Sequence, residues 1–168
     1  MTAKRVAIFI DGGNLYHTAK NLGFKVDFIR LRDYFVNPEE ILFEIFYYSA
    51  YNPSEPFIIR ILDWLQHNGF KVVSKQVKKK ENLFFKGDMD VDIVVDMLLN
   101  LEKYEKAILF SGDGDFKRCV VELQKRGKIV QIVSSLRTDP PMISEEFRKQ
   151  ADIWTELTEI IPFINHTD

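Results

Sequence analysis

Three sets of aspartates recur at short spacing beside glycine. Asp11 lies in Phe9-Ile10-Asp11-Gly12-Gly13-Asn14, and Asp113 and Asp115 lie in Ser111-Gly112-Asp113-Gly114-Asp115-Phe116. Asp88, Asp90, Asp92 and Asp96 follow Phe85-Lys86-Gly87. Carboxylates gathered in a partly dry site repel one another, and a hard divalent cation with oxygen ligands relieves that repulsion. The chain has one cysteine and three scattered histidines, so zinc is a poor fit and Mg2+ or Mn2+ the better one. Such a centre serves phosphate-ester chemistry, where the cation activates water and offsets developing charge. Each aspartate taken singly also suits a turn or a helix cap. The three sets together, each at the end of an element, are what point to an ion.

The elements that must position them alternate between strands and helices. Lys4–Ile10 reads as a buried strand ending in Asp-Gly-Gly, followed by helical spacing from Asn14 to about Phe35 with a break at Gly23. Ile41–Ser49 reads as a second strand, and Tyr51–Pro56 as a loop because it holds two prolines. A helix is expected over Phe57–Asn68 and a strand over Phe70–Val77, with Leu83-Phe84-Phe85 as the returning arm of a hairpin. Val91–Leu101 is expected as an amphipathic helix burying Ile93, Val94, Met97, Leu98 and Leu101. Strand Ala107–Phe110, helix Phe116–Arg126, strand Lys128–Val133, helix Ser144–Gln150 and a short strand or turn Ile153–Leu157 complete the reading. This alternation predicts a mostly parallel sheet with helices on both faces. In such sheets ligands sit at the carboxyl ends of strands, where strand order reverses. Asp11 and the Asp113–Asp115 pair fall at such ends.

Composition sets the outer bounds. At 168 residues, 46% hydrophobic and 29% charged, the chain suits one globular domain over 1–168 with its core at about 5–157. No apolar run approaches the ~18 residues of a membrane span, and Met1–Arg5 lacks a leader pattern. With only Cys119, no intrachain disulfide forms, so the expected compartment is the cytoplasm. Cys119 itself suits a small buried residue. A net charge of −2 means that a nucleic-acid partner needs a local basic patch. Lys71, Lys75, Lys78, Lys79, Lys80 and Lys86 supply one, beside Phe84 and Phe85, which could stack on bases. A lysine run also suits a solvated or protected edge.

The strings Phe9-Ile10-Asp11-Gly12-Gly13-Asn14-Leu15, Lys86-Gly87-Asp88-Met89-Asp90-Val91, Asp96-Met97-Leu98 and Ser111-Gly112-Asp113-Gly114-Asp115-Phe116 resemble the NYN domain of the PIN-like nuclease superfamily, in its LabA-like branch. The resemblance runs from about Arg5 to Leu157, and the order and spacing of the strings are more specific than any one of them. It implies a Rossmann-like, three-layer α/β/α fold and a metal-dependent ribonuclease site. By motif position Asp11, Asp90, Asp113 and Asp115 would be catalytic and metal-binding, with Asp96 a further ligand. Many family members read Lys-Gly-Val-Asp where this chain has Lys86-Gly87-Asp88-Met89-Asp90, so Asp88 and Asp92 stand as alternatives to Asp90. Asn14 and Ser111 are candidates to hold a phosphate oxygen, against an N-cap and a turn serine. The function implied is hydrolysis of RNA phosphodiester bonds with Mg2+ or Mn2+. The alternative is an RNA-binding or regulatory module that keeps the fold with little catalysis. The resemblance involves no membrane partner and admits a homodimer.

Other chemistries fit less well. No Gly-x-Ser-x-Gly string occurs, which removes the serine-hydrolase elbow. Gly13 stands where a dehalogenase-type phosphatase needs its second aspartate, and the Gly-x-Gly-x-x-Gly of a dinucleotide-binding turn is missing. A receiver domain would carry its acidic pair after the first strand, whereas here the pair follows a later one.

Overall fold

The computed structural model describes residues 2–77, 79–80, 83–84 and 88–167. Fifteen helices and strands follow one another along them. In chain order these are β1 (Lys4–Asp11), α1 (Gly12–Leu22), α2 (Phe28–Phe35), β2 (Glu40–Tyr51), α3 (Pro56–His67) and β3 (Lys71–Gln76). Next come β4 (Lys79–Lys80), β5 (Leu83–Phe84), α4 (Asp90–Leu99), β6 (Lys106–Phe110) and α5 (Lys117–Lys125). The last are β7 (Ile129–Ser134), α6 (Glu145–Gln150), β8 (Ile153–Glu156) and α7 (Leu157–Ile164). Six strands form one sheet in the order β3-β2-β1-β6-β7-β8, and every neighbouring pair is parallel. The expected mostly parallel sheet is thus parallel throughout.

Strand periodicity divides the core. In β1, Val6, Ile8 and Ile10 enter one apolar cluster while Ala7 and Phe9 enter the other. The first cluster takes Leu15, Leu31, Leu65 and Ile160, from α1, α2, α3 and α7. The second takes Ile93, Met97, Val120 and Phe147, from α4, α5 and α6. Helices therefore cover both faces, giving the three-layer α/β/α arrangement. With both faces buried, the central strands are apolar at nearly every position. No helix among the described residues is long and apolar enough to cross a membrane.

Four expectations need correction. Leu83–Phe84 does not return against the strand at Lys71–Gln76: it pairs antiparallel with Lys79–Lys80, while β3 joins β2 in the main sheet. Leu98 does not face inward, being 38% exposed, whereas Ile93 and Met97 are buried and Val94 and Leu101 pack against the same cluster. Leu101 falls beyond α4, in a separate 3-10 turn over Leu101–Lys103. The strand or turn expected from Ile153 is the strand β8, but α7, which was not expected, follows it despite Pro162 inside the helix. That proline masks the helical spacing of Leu157, Ile160 and Ile164, all of which are buried.

Strand order supplies the frame for the site. The chain runs outward from β1 through β2 to β3, then crosses to the other side of β1 to form β6. The carboxyl ends of β1 and β6 are consequently adjacent, and their following segments diverge. Ile10 pairs with Phe110, which brings Asp11 beside Ser111.

Candidate metal centre at the switch point

Asp11 ends β1 and caps α1, accepting the Asn14 amide on Oδ1 at 3.3 Å. Its other oxygen, Oδ2, accepts the Ser111 hydroxyl at 3.2 Å. Ser111 Oγ in turn accepts the Asp113 amide at 3.2 Å, and Asp113 Oδ1 accepts the Asp115 amide at 2.9 Å. Asn14 Oδ1 accepts the Gly112 amide at 3.2 Å. These bonds tie the turn after β6 to the start of α1, so two segments about a hundred residues apart in sequence present their carboxylates together.

Two glycines are dictated by close approach. A Cβ on Gly12 would lie 2.6 Å from the Tyr48 carbonyl oxygen and 2.7 Å from the Tyr47 ring. A Cβ on Gly112 would lie 2.1 Å from the Met142 carbonyl oxygen and 2.6 Å from Ser134 Oγ. Neither position has room for a side chain without moving backbone.

Carboxylate oxygens of Asp90, Asp113 and Asp115 all lie within 4.8 Å of one another, the one such group among the described residues. Asp90 opens α4, with its amide held by Asp88 Oδ1 at 2.8 Å. Of the three aspartates weighed for the start of this helix, Asp90 is the one that joins Asp113 and Asp115. Asp88 is exposed, and Asp92 forms an ion pair with Lys75 at 2.5 Å. Asp96, one turn further along α4, accepts the Tyr48 hydroxyl on Oδ2 at 2.9 Å and lies outside the group of three.

Crowding shows in the acidities. Burial pushes the Asp90 carboxyl up to about 8, with Asp88 and Asp113 adding to the effect by hydrogen bonding and repulsion. Burial also raises Asp11, and the charges of Asp113 and Asp88 add to this, against the Asn14 and Ser111 hydrogen bonds. Tyr47 is pushed up to about 12 by burial and by Asp11. Tyr48 is raised further by burial and by its bond to Asp96.

The predicted substrate contacts divide. Asn14 and Ser111 are at the site, but both already spend oxygen atoms on internal bonds; Asn14 Nδ2 makes no bond among the described residues. Lys78 and Lys86 lie outside the described residues, as do the side chains of Lys79, Lys80 and Phe84 and the whole of Phe85. Cys119 is buried and its thiol is pushed up to about 11 by burial, as suits a packing residue. Tyr48 had no assigned role from sequence. Its signal was the strand alternation, which turns Tyr48 to the α4 face and Tyr47 to the α1 face.

A parallel α/β sheet with acidic side chains converging at its switch point defines a class of proteins that bind ligands at strand ends. Within that class the chain belongs to the NYN domain family, which matches residues 5–158. It is 34% identical over 172 residues to the low amplitude and bright protein LabA of Synechococcus elongatus, covering 98% of this chain and 89% of LabA. Its fold is similar to that of a protein of unknown function from Vibrio parahaemolyticus, with a TM-score of 0.80 and 25% identity over 93% of this chain and 94% of the other.

Proposed function

We propose that this chain is a ribonuclease that hydrolyses RNA phosphodiester bonds with Mg2+ or Mn2+ held by Asp90, Asp113 and Asp115. The observation that carries the reading is the convergence of those three carboxylates within 4.8 Å at the switch point. The donor set fits the cation. It is all oxygen and lacks sulfur and imidazole, and burial, with hydrogen bonding and repulsion from Asp88 and Asp113 adding to it, pushes Asp90 up to about 8. Membership of the NYN domain family, together with the motifs that resemble PIN-like nucleases, supports the nuclease class and RNA as the substrate.

When bound, the cation supplies charge neutralisation at the scissile phosphate and a more acidic water. The chain's own groups do the rest. Ser111 donates to the Asp11 carboxylate and accepts the Asp113 backbone amide, while the Asp115 amide holds the Asp113 carboxylate. Asp11 adds negative charge beside the three, and its Oδ2, which accepts the Ser111 hydroxyl, has a further lone pair to take a proton. Asp115, exposed at the rim, faces the incoming strand. Asn14 Nδ2 donates to a non-bridging phosphate oxygen, its oxygen being committed to Gly112.

The test is cleavage of a labelled, mixed-sequence single-stranded RNA in Mn2+, in Mg2+ and in chelator, with Asp113→Asn alongside. Cleavage dependent on the cation and reduced at least about 100-fold in the variant is expected, since loss of a ligand exceeds the 10–100-fold effect of an outer-shell change. RNA binding without cleavage in any cation would replace the nuclease by a binding module that keeps the fold.

A further inference from the structure

An open groove of about 530 Å3 adjoins the carboxylate cluster, lined by Gly114, Asp115, Lys117, Arg118, Glu122 and Lys125, with Val121 between them. Asp115 belongs to both, so the groove begins where the cluster ends. Its length follows α5: Arg118, Val121, Glu122 and Lys125 are spaced three, four and seven residues along, one face of a helix. The opposite face, Cys119, Val120 and Leu123, is buried against the sheet.

The charges along this groove are unequally engaged. Lys117 is ion-paired with Glu146. Glu122 faces Lys125 and Arg126 of its own helix, both at 3.9 Å. Arg118 is exposed and makes no hydrogen bond or ion pair among the described residues. The lining sets three cations, Lys117, Arg118 and Lys125, against two carboxylates, Asp115 and Glu122, so its balance is positive even with no cation in the cluster. A guanidinium offers a planar fork that matches phosphate oxygens.

We propose that Arg118 seats a backbone phosphate of the RNA as it leaves the carboxylate cluster along the α5 groove. The proposal rests on the reading that the cluster acts on RNA. It makes Arg118 a positioning residue, reading phosphate and not base, so its contribution is the same for any sequence.

The experiment is fluorescence anisotropy of a short labelled single-stranded RNA in chelator, from about 50 to 300 mM salt, with wild type, Arg118→Gln, Arg118→Lys and Arg126→Gln. Arg126 is on the same helix but outside the groove, and its loss controls for net charge. Arg118→Gln should bind about tenfold more weakly, as loss of a hydrogen bond to a charged group implies. The plot of log affinity against log salt should become shallower by about 0.7, one phosphate contact on a single strand. Arg118→Lys should recover part of the affinity and the full slope. Melting temperature should not move, and cleavage at sub-saturating RNA should fall in step with the affinity. Equal losses in Arg118→Gln and Arg126→Gln, or an unchanged slope, would overturn the assignment. Wild type that binds RNA through Arg118 yet cleaves nothing would retain the groove and remove the nuclease. Wild type that binds no RNA would remove the groove as well.

Discussion

Asp90 carries the charge problem of the site. Its carboxyl is raised from an ordinary 3.8 to about 8 by burial first, then by Asp88 and Asp113. A group whose value is higher in the folded chain favours folding fully below its unfolded value, and that contribution fades as pH climbs through its folded one. Without a cation, the folded chain should therefore lose stability between about pH 4 and pH 8. Asp90→Asn keeps the volume and removes the titration. Melting followed by fluorescence in chelator should show a flatter pH profile for the variant and a higher midpoint at pH 8; parallel profiles would refute the assignment. Asp96 poses a different question, because its oxygen is already committed to Tyr48. Asp96→Asn should weaken Mn2+ binding by calorimetry less than about threefold, against at least about tenfold for Asp90→Asn. At this scale the sequence was informative about which residues, and less so about their partners. Asp11, Asp113 and Asp115 were legible because each lies beside glycine after a strand, and Asp90 because it opens a helix three residues after Gly87. The commitment of Asp96 to Tyr48 depends on the pairing of β2 with β1 and the approach of α4, which no local pattern encodes.

Elements hold the site by packing tolerances that can be tested at single glycines. Gly112 passes under the Met142 carbonyl, and an added Cβ at 2.1 Å meets backbone, not a movable side chain. Gly112→Ala should cost at least about 2 kcal/mol, the scale of overpacking that forces backbone to shift. Gly13, the second residue of α1, has nothing within 4 Å of an added Cβ. Gly13→Ala should gain about 0.5 kcal/mol by restricting the unfolded chain and improving helix propensity. Urea titration of both variants checks the pair of signs; a matching sign would mean the close approach at Gly112 does not constrain the turn. The same elements show what was legible in the fold. Apolar runs of β1, β6 and β7 and the helical spacing of α3 and α5 were clear, because strands buried on both faces and helices with one apolar stripe leave strong patterns. The misread hairpin and the missed α7 are cases where a few residues follow tertiary contacts. Ile160 and Ile164 fill the α2 side of the sheet, and that demand outweighs Pro162.

At the scale of the whole molecule, topology sets folding and cation binding in opposition until the two are combined. Bringing β1 beside β6 forces Asp11 and Asp113 together, and α4 adds Asp90. The folded chain therefore holds repulsion that the unfolded chain lacks. A cation that binds only the folded form adds stability by mass action, about 2.7 kcal/mol at a hundredfold excess over its dissociation constant. For a chain of this length that corresponds to roughly 5–10 °C in the melting midpoint. The proton on Asp90 competes for the same oxygens, so affinity should fall as pH drops below about 8. With one proton displaced, the fall reaches at most about tenfold per pH unit. At one fixed Mn2+ concentration, the upward shift at pH 8 should thus exceed that at pH 6, and Asp113→Asn should abolish most of it at both. An equal shift at the two pH values, or one that survives Asp113→Asn, would place the cation elsewhere on the molecule. A larger shift at pH 8 that depends on Asp113 would tie the stability of the sheet to the chemistry at its switch point.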